Sequence, residues 1–349
     1  MAFLQYNPLH ICDKEIGMRP RYLLFLLILF TSGVPTSGQG GWSLIAPGGD
    51  TLCARGTPYA FFTRAADPSK LLIYFQGGGA CWNAETCDPN AAAFDDSVSG
   101  EEVNVYSTGI FNPSNGENPL ADYSTVFIPY CTGDWHTGSS TVTYGDQTIH
   151  HNGYANATAA LNWAFANYPS PSEVVIGGCS AGSYGSIFYT PTIARRYAGA
   201  RTVQFGDAGV GRVVPGWGGF DVWGTFAHLP RGVRRTAPEA FIDALYRGVS
   251  RSYPRVRLSQ YNTFNDNVQV RYFAMMGGAL ADWVIGLENS IAALTGLANF
   301  RAYTAGGGEH CITTSERFYS ENVDGIRFRD WFAALISGGD VSNVHCTAC

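Results

Sequence analysis

Short apolar runs recur along the chain, and stretches with helical character separate them. Leu71–Phe75, Thr125–Ile128, Val174–Ile176, Val203–Phe205, Val256–Tyr261 and Phe300–Tyr303 are rich in β-branched and aromatic residues and read as buried strands. Ala155–Asn167 carries small and apolar residues at helical spacing and stops before Pro169. Ser186–Tyr197 and Val268–Met276 also fit helices. Asp324–Ile336 reads as a helix with Asp at its start. Ile326, Phe328, Trp331, Phe332 and Leu335 form its apolar stripe, and Gly338-Gly339 its stop. Strands alternating with helices predict a mostly parallel central sheet with helices on both faces, in one α/β domain. Asn83–Asp122 lacks periodicity and is crowded with Gly, Asn, Asp and Ser, so it reads as a long surface excursion over the sheet edge.

The first forty residues follow a different pattern. Arg19-Pro20-Arg21 precedes the apolar run Tyr22–Phe30, and small residues follow it, among them Thr31-Ser32-Gly33 and Thr36-Ser37-Gly38. This is the pattern of a secretory signal peptide, expected to span residues 1–38, with the remaining domain at 39–349. Met18 offers an alternative start. The run is short for a membrane span, so stable insertion is not expected, and a secreted or periplasmic location is.

Of nine cysteines, Cys12 lies in that leader, and eight follow: Cys53, Cys81, Cys87, Cys131, Cys179, Cys311, Cys346 and Cys349. An even count after a signal peptide favours disulfides over metal, and Cys346/Cys349 read as a tether for the tail. The pairing cannot be read from the spacing. The net charge of −6, with no basic run, argues against a nucleic-acid partner. The domain is expected to act as a monomer.

Candidate chemistry centres on Gly178-Cys179-Ser180-Ala181-Gly182, which follows the Val174–Ile176 strand and precedes a helix. G-x-S-x-G between strand and helix is the pattern of a nucleophile elbow. The turn is so tight that its flanking residues must be small, as Gly178, Ala181 and Gly182 are. It lifts the Ser180 hydroxyl above the sheet and points the Ala181 N–H at a nascent oxyanion.

A serine hydroxyl needs a base, and the base an orienting acid. In this architecture the chain order is Ser, acid, His. His136, His150 and His151 precede Ser180. His228 lies before the last strands, and His345 is wedged near the terminus. His310, in Gly306-Gly307-Gly308-Glu309-His310 after the last strand, is where the base belongs. Asp266 in Phe264-Asn265-Asp266-Asn267 is the preferred acid. Asp207 is its rival, read as a turn aspartate bonding its own backbone. The glycine-rich loop Gln76–Ala80 follows an early strand and is placed to supply a second oxyanion donor. It has no G-K-[ST] and so does not read as a phosphate loop. His150-His151 lacks a third ligand at useful spacing, so no metal is expected, and no cofactor is needed. The sequon Asn156-Ala157-Thr158 reads as incidental.

Four ordered blocks resemble the pectin acetylesterase family, which includes the animal Notum carboxylesterases. They are Gly77–Asn83, Val126–Asp134, Gly178–Gly182 and Asn262–Asp266. The similarity runs from about Trp42 to Cys349. It implies an α/β-hydrolase-type serine esterase with Ser180, Asp266 and His310 as triad and Gly78, Gly79 and Ala181 as oxyanion donors. Two departures stand out: Ser183 where many members have a second elbow glycine, and asparagines on both sides of Asp266.

The favoured reading is therefore a secreted carboxylic-ester hydrolase deacetylating an acetylated polysaccharide. The alternatives are an esterase of protein-bound or lipid acyl groups and a silent carbohydrate-binding or adhesion module. Trp82, Trp135 and Tyr144 are candidates for stacking on a sugar. They fit core or pocket lining equally well.

Overall fold

The computed structural model describes residues 41–100, 102 and 107–347. The expected signal peptide lies outside them. Thirteen strands are seen: β1 (Trp42–Ile45), β2 (Phe61–Arg64), β3 (Asp67–Phe75), β4 (Tyr123–Ile128), β5 (Ser140–Tyr144), β6 (Gln147–His151), β7 (Glu173–Cys179), β8 (Arg201–Asp207), β9 (Arg257–Thr263), β10 (Phe300–Ala305), β11 (Asn322–Val323), β12 (Ile326–Arg327) and β13 (Val344–His345). The main helices are α1 (Gly153–Asn167), α2 (Ala181–Arg196), α3 (Phe241–Ser252), α4 (Asn267–Met275), α5 (Leu280–Thr295) and α6 (Phe328–Ser337).

One nine-stranded sheet has the order β1-β2-β4-β3-β7-β8-β9-β10-β13. Its first two pairings, β1 with β2 and β2 with β4, are antiparallel, and the rest are parallel. Side-chain alternation explains why helices cover both faces. Along β3, Leu71, Ile73 and Phe75 pack with α1, α2, α3 and α5. Leu72 and Tyr74 face the other way, into a core completed by Trp331, Phe332 and Leu335 of α6. The chain therefore folds as the α/β-hydrolase type expected from its pattern.

Three local expectations need correction. The helix expected from Asp324 begins only at Phe328. Asp324 and Gly325 take φ of 51° and 84° and turn a β11–β12 hairpin, with the Gly325 N–H on Asn322 Oδ1 at 2.9 Å. Asp-Gly is a hairpin signal that the helical periodicity overrode. The stretch 83–122 is not wholly surface, because Ile110, Phe111 and Leu120 are at most 2% exposed. The reading of Asp207 is corrected below, where its partners are described. The Asn156 sequon is also inaccessible: its amide is buried on α1, donating to the Leu52 carbonyl and accepting the Leu52 N–H.

Disulfides join Cys53–Cys131, Cys81–Cys87 and Cys179–Cys311, and Cys346 is also disulfide-bonded. Such a framework fits an oxidising compartment. Among the described residues no helix is long and apolar enough to cross a membrane. Ring size predicts unequal energetics. Cys53→Ala/Cys131→Ala opens a 78-residue loop and should lower unfolding free energy by about 4–5 kcal/mol. Cys81→Ala/Cys87→Ala opens a 6-residue loop and should cost about 2 kcal/mol. Equilibrium denaturation of both variants checks this; equal losses would contradict it.

Candidate active site

β7 lies between β3 and β8, and its carboxyl end delivers Ser180. Ser180 takes φ 55° and ψ −124°, backbone that costs a non-glycine residue about 1–3 kcal/mol. Two bonds hold it there: its N–H donates to the Asp207 carbonyl at 2.8 Å, and its carbonyl accepts the Ser183 N–H at 2.9 Å. The flanking glycines are sterically required. A Cβ at Gly178 would strike the Gly182 carbonyl, and one at Gly182 the Phe75 carbonyl. The strand–turn–helix is thus packed directly against the end of β3. Ala181 opens α2, whose first N–H groups lack intrahelical partners.

The loop Gln76–Ala80 leaves β3 beside this turn; a Cβ on Gly77 would come 3.0 Å from that of Ser180. Its carbonyls are pinned from behind. Gln76 O accepts His136 Nε2 at 2.8 Å, Gly78 O accepts the Asp95 N–H at 2.9 Å, and Gly79 O accepts Tyr130 OH at 2.9 Å. Gly79 sits at φ 77°. Among the described residues no backbone acceptor takes the N–H groups of Gly78, Gly79 or Ala181. The sequence expectation assigns these same three groups to an oxyanion.

Asp266 follows β9 and caps α4. Its buried carboxylate accepts the N–H groups of Val268 (3.1 Å) and Gln269 (2.9 Å) and the Gln269 side-chain amide (3.0 Å). His310 Nδ1 donates to both carboxylate oxygens at 2.8 Å. That bond puts the imidazole proton on Nδ1 and leaves Nε2 an acceptor. His310 is 17% exposed against 0% for Asp266, so the imidazole meets solvent while the carboxylate does not. The structure brings Asp266 and His310 together directly. Among the described residues Ser180 Oγ makes no hydrogen bond to His310. Their link is covalent instead, through the Cys179–Cys311 disulfide between the residue before Ser180 and the residue after His310.

Asp207 does not bond its own backbone. Its buried carboxylate reaches across to the N–H groups of Ile312 (3.0 Å) and Thr313 (2.7 Å) and to Thr313 Oγ1 (2.5 Å). It therefore anchors the segment after His310. Burial raises its pKa, and those three donors oppose the shift. The segment before His310 is held from the other side: Asn267 N–H donates to Gly308 O at 3.1 Å, and Thr263 Oγ1 to Glu309 O at 2.8 Å.

A narrow cavity of about 30 Å³ reaches Ser180, lined by Gly79, Trp135, Tyr184, Arg212, Gln269 and Tyr272 among others. Trp135 thus lies where the sequence suggested. Trp82 is not in the lining and packs edge-on against Trp217 at 5.4 Å. Tyr144 belongs to the β5–β6 hairpin and bonds His151 at 2.9 Å. The roomier clefts around Arg195 and Tyr253 contain none of the sequence-predicted residues. Sequence reasoning missed Gln269, Tyr184 and Arg212. Gln269 lies three residues after Asp266, the spacing of a capped first turn, and Arg212 is a lone charge between Gly211 and Val213.

His151 bonds the Thr132 carbonyl (3.0 Å) as well as Tyr144, and burial lowers its pKa to about 4. Among the described residues, only Cys179, His310 and Cys311 cluster as metal ligands could. The two sulfurs are joined to each other, which removes the thiolates a metal would need.

This geometry separates the two acids. Asp266→Asn should lower kcat by several orders of magnitude through the wrong histidine tautomer. Asp207→Asn should act mainly on stability, lowering the unfolding midpoint with a smaller loss of turnover. Parallel kinetics and thermal melts check this; the opposite ordering would reverse the assignment.

Comparisons with known proteins agree with the architecture. A family model described as Pectinacetylesterase matches residues 45–210. The zebrafish (Danio rerio) protein named inactive palmitoleoyl-protein carboxylesterase notum1b is 32% identical over 102 residues, covering 28% of this chain and 72% of that protein. The palmitoleoyl-protein carboxylesterase NOTUM of Schmidtea mediterranea is 26% identical over 150 residues, 41% of this chain but only 28% of its own length. The solved structure of the Drosophila Wnt deacylase Notum superposes with a TM-score of 0.60 over 85% of this chain and 95% of that one, at 16% identity, a likeness of fold. The chain belongs to the pectinacetylesterase/Notum carboxylesterase family of α/β-hydrolases, enzymes acting on ester-linked acyl groups.

Proposed function

We propose that this protein is a serine carboxylesterase working through an acyl-enzyme at Ser180. The observation that carries the reading is the His310–Asp266 pair, set against a strained serine turn with free N–H groups on both sides. One relative is named inactive, so family membership alone does not make an enzyme. The residues at the site support the active reading.

Ser180 Oγ attacks the ester carbonyl while His310 Nε2 takes its proton. Asp266 stabilises the imidazolium, and the Gly78, Gly79 and Ala181 N–H groups receive the oxyanion. His310 then gives the proton to the departing alkoxide. A water deprotonated by the same Nε2 hydrolyses the acyl-enzyme and restores Ser180.

The cavity supports a short acyl group. About 30 Å³ holds roughly two or three water-sized groups, the scale of an acetyl. A second reading is removal of a fatty acyl group from protein or lipid, and the names of the relatives support it more directly than they support deacetylation of a polysaccharide. Met275, Leu280 and Ile285 favour it too. These apolar residues are 37–62% exposed on α4 and α5, and α4 also lines the cavity.

Ser180→Ala should abolish ester hydrolysis by about 10⁴-fold or more in a folded protein. Retained turnover would sink the serine assignment. Along chromogenic esters from acetyl to palmitoyl, kcat/KM should peak at acetyl or propionyl and drop about tenfold or more by octanoyl. A rise toward the long chains would establish the fatty-acyl reading instead.

A further inference from the structure

His136 precedes Ser180 in the chain and is not the candidate base, yet the fold buries it beside the loop Gln76–Ala80. Its Nε2 donates to the Gln76 carbonyl at 2.8 Å. A carbonyl can only accept, so this bond places the imidazole proton on Nε2. Burial lowers the pKa of His136 to about 4, so the ring is neutral at neutral pH. The ring is also closely packed. Phe75 lies edge-on at 5.3 Å, Tyr130 tilts against it at 5.0 Å, and a Cβ on Gly185 of α2 would come 3.0 Å from it.

The backbone that presents this ring is strained. Trp135 and His136 take φ of 55° and 63°, two consecutive left-handed residues with no glycine between them. The buried Asp134 carboxylate holds the turn. Its Oδ1 accepts the Thr132 hydroxyl at 2.7 Å and the His136 N–H at 3.1 Å, and its Oδ2 accepts the Gly153 N–H at 2.8 Å. The His136 carbonyl accepts Tyr189 OH from α2 at 2.7 Å. The turn sends Trp135 into the lining of the Ser180 cavity and His136 to the loop. It reaches the far end of that loop as well. The Trp135 N–H donates to Tyr130 OH at 3.0 Å, and Tyr130 OH donates to the Gly79 carbonyl at 2.9 Å.

One turn therefore pins the peptide units at both ends of the loop, Gln76-Gly77 and Gly79-Ala80. The two units between them carry the Gly78 and Gly79 N–H groups. Gly77-Gly78-Gly79 has wide backbone freedom, so an unpinned loop would spread those N–H groups over many directions. An oxyanion is stabilised only by donors already fixed when its charge develops. Strain that surrounding bonds hold in place serves such preorganisation. We propose that His136 is a positioning residue that, with Tyr130 at the other end, keeps the Gly78 and Gly79 N–H groups aimed at the oxyanion. It acts through the Gln76 carbonyl rather than on the substrate. This rests on the esterase reading above and adds a residue outside the triad.

The test uses the whole protein, 4-nitrophenyl acetate as substrate and a short alkyl trifluoromethyl ketone as inhibitor. Addition of Ser180 to the ketone would form a tetrahedral oxyanion. Active sites are counted by titration with a fluorophosphonate, so that kcat refers to working enzyme. His136→Leu removes the donor at similar volume. Its kcat should fall by about 30-fold or more with KM changed by no more than about threefold. The ketone should lose affinity by a similar factor to the loss in kcat/KM. His136→Gln keeps an N–H for the Gln76 carbonyl and should recover most of kcat. Tyr130→Phe removes only a hydroxyl and should lose about tenfold in kcat and in ketone affinity. A merely structural role would lower the thermal midpoint and the number of active sites while leaving kcat per site and ketone affinity unchanged. That result overturns the proposal. So does a fall in kcat with ketone affinity intact, and so does a His136→Gln variant no better than His136→Leu. If His136→Leu fails to fold, Tyr130→Phe decides, and wild-type kcat and ketone affinity in that variant overturn the proposal. Loss of the esterase reading would show separately, as wild-type turnover no faster than that of Ser180→Ala.

Discussion

The closest constraint in this protein is the packing of one turn against one strand end. Between Gly178 and Gly182 the chain reverses so tightly that Cβ atoms would collide with the carbonyls of Gly182 and Phe75. With glycine there, β7, β3 and the start of α2 meet almost backbone to backbone. Ser180 is then forced to positive φ, and the Gln76–Ala80 loop leaving β3 is brought beside it. The positions of Ser180, the proposed nucleophile, and of the proposed oxyanion donors are therefore consequences of a single steric fit, made possible by adjacent parallel strands with aligned ends.

The histidine is harder to hold, because it rides on a loop beyond the last long strand. Five groups fix it. The Asp266 carboxylate accepts its Nδ1–H, the Asp207 carboxylate accepts the N–H groups two and three residues later, the Asn267 N–H and the Thr263 hydroxyl donate to carbonyls before it, and Cys311 is bonded to Cys179. Two buried carboxylates thus act on one loop in different ways. Asp266 touches the imidazole, whereas Asp207 touches only the backbone beyond it. The disulfide closes a loop of 132 residues and fixes the spacing between serine and histidine segments through the chain itself.

Much of this was legible in the residues. The β-branched run before Gly178 marked a strand, the small residues after it marked the turn, and chain order singled out His310 and Asp266. The parallel sheet followed from alternating runs. What was not legible depends on contacts far apart in sequence. Asp207 looked like a turn residue because its true partners lie 105 and 106 positions away. The pairing of Cys179 with Cys311 was hidden for the same reason, the two lying 132 positions apart. The antiparallel β1–β2 edge consists of strands only four residues long, and the Asp324-Gly325 hairpin was hidden under a helical stripe. Arg212 gave only a faint signal, since its place in the cavity lining is a property of the fold.

The central claim is that Ser180, activated by the His310–Asp266 pair, is the nucleophile of an ester hydrolase. Covalent trapping tests it most directly. The folded protein, treated with a fluorophosphonate ester and examined by intact mass and peptide mapping, should gain one adduct per chain, on Ser180, in step with loss of esterase activity. Full loss of activity with the adduct on another residue, or an unlabelled Ser180 in an enzyme that still turns over, would contradict the account.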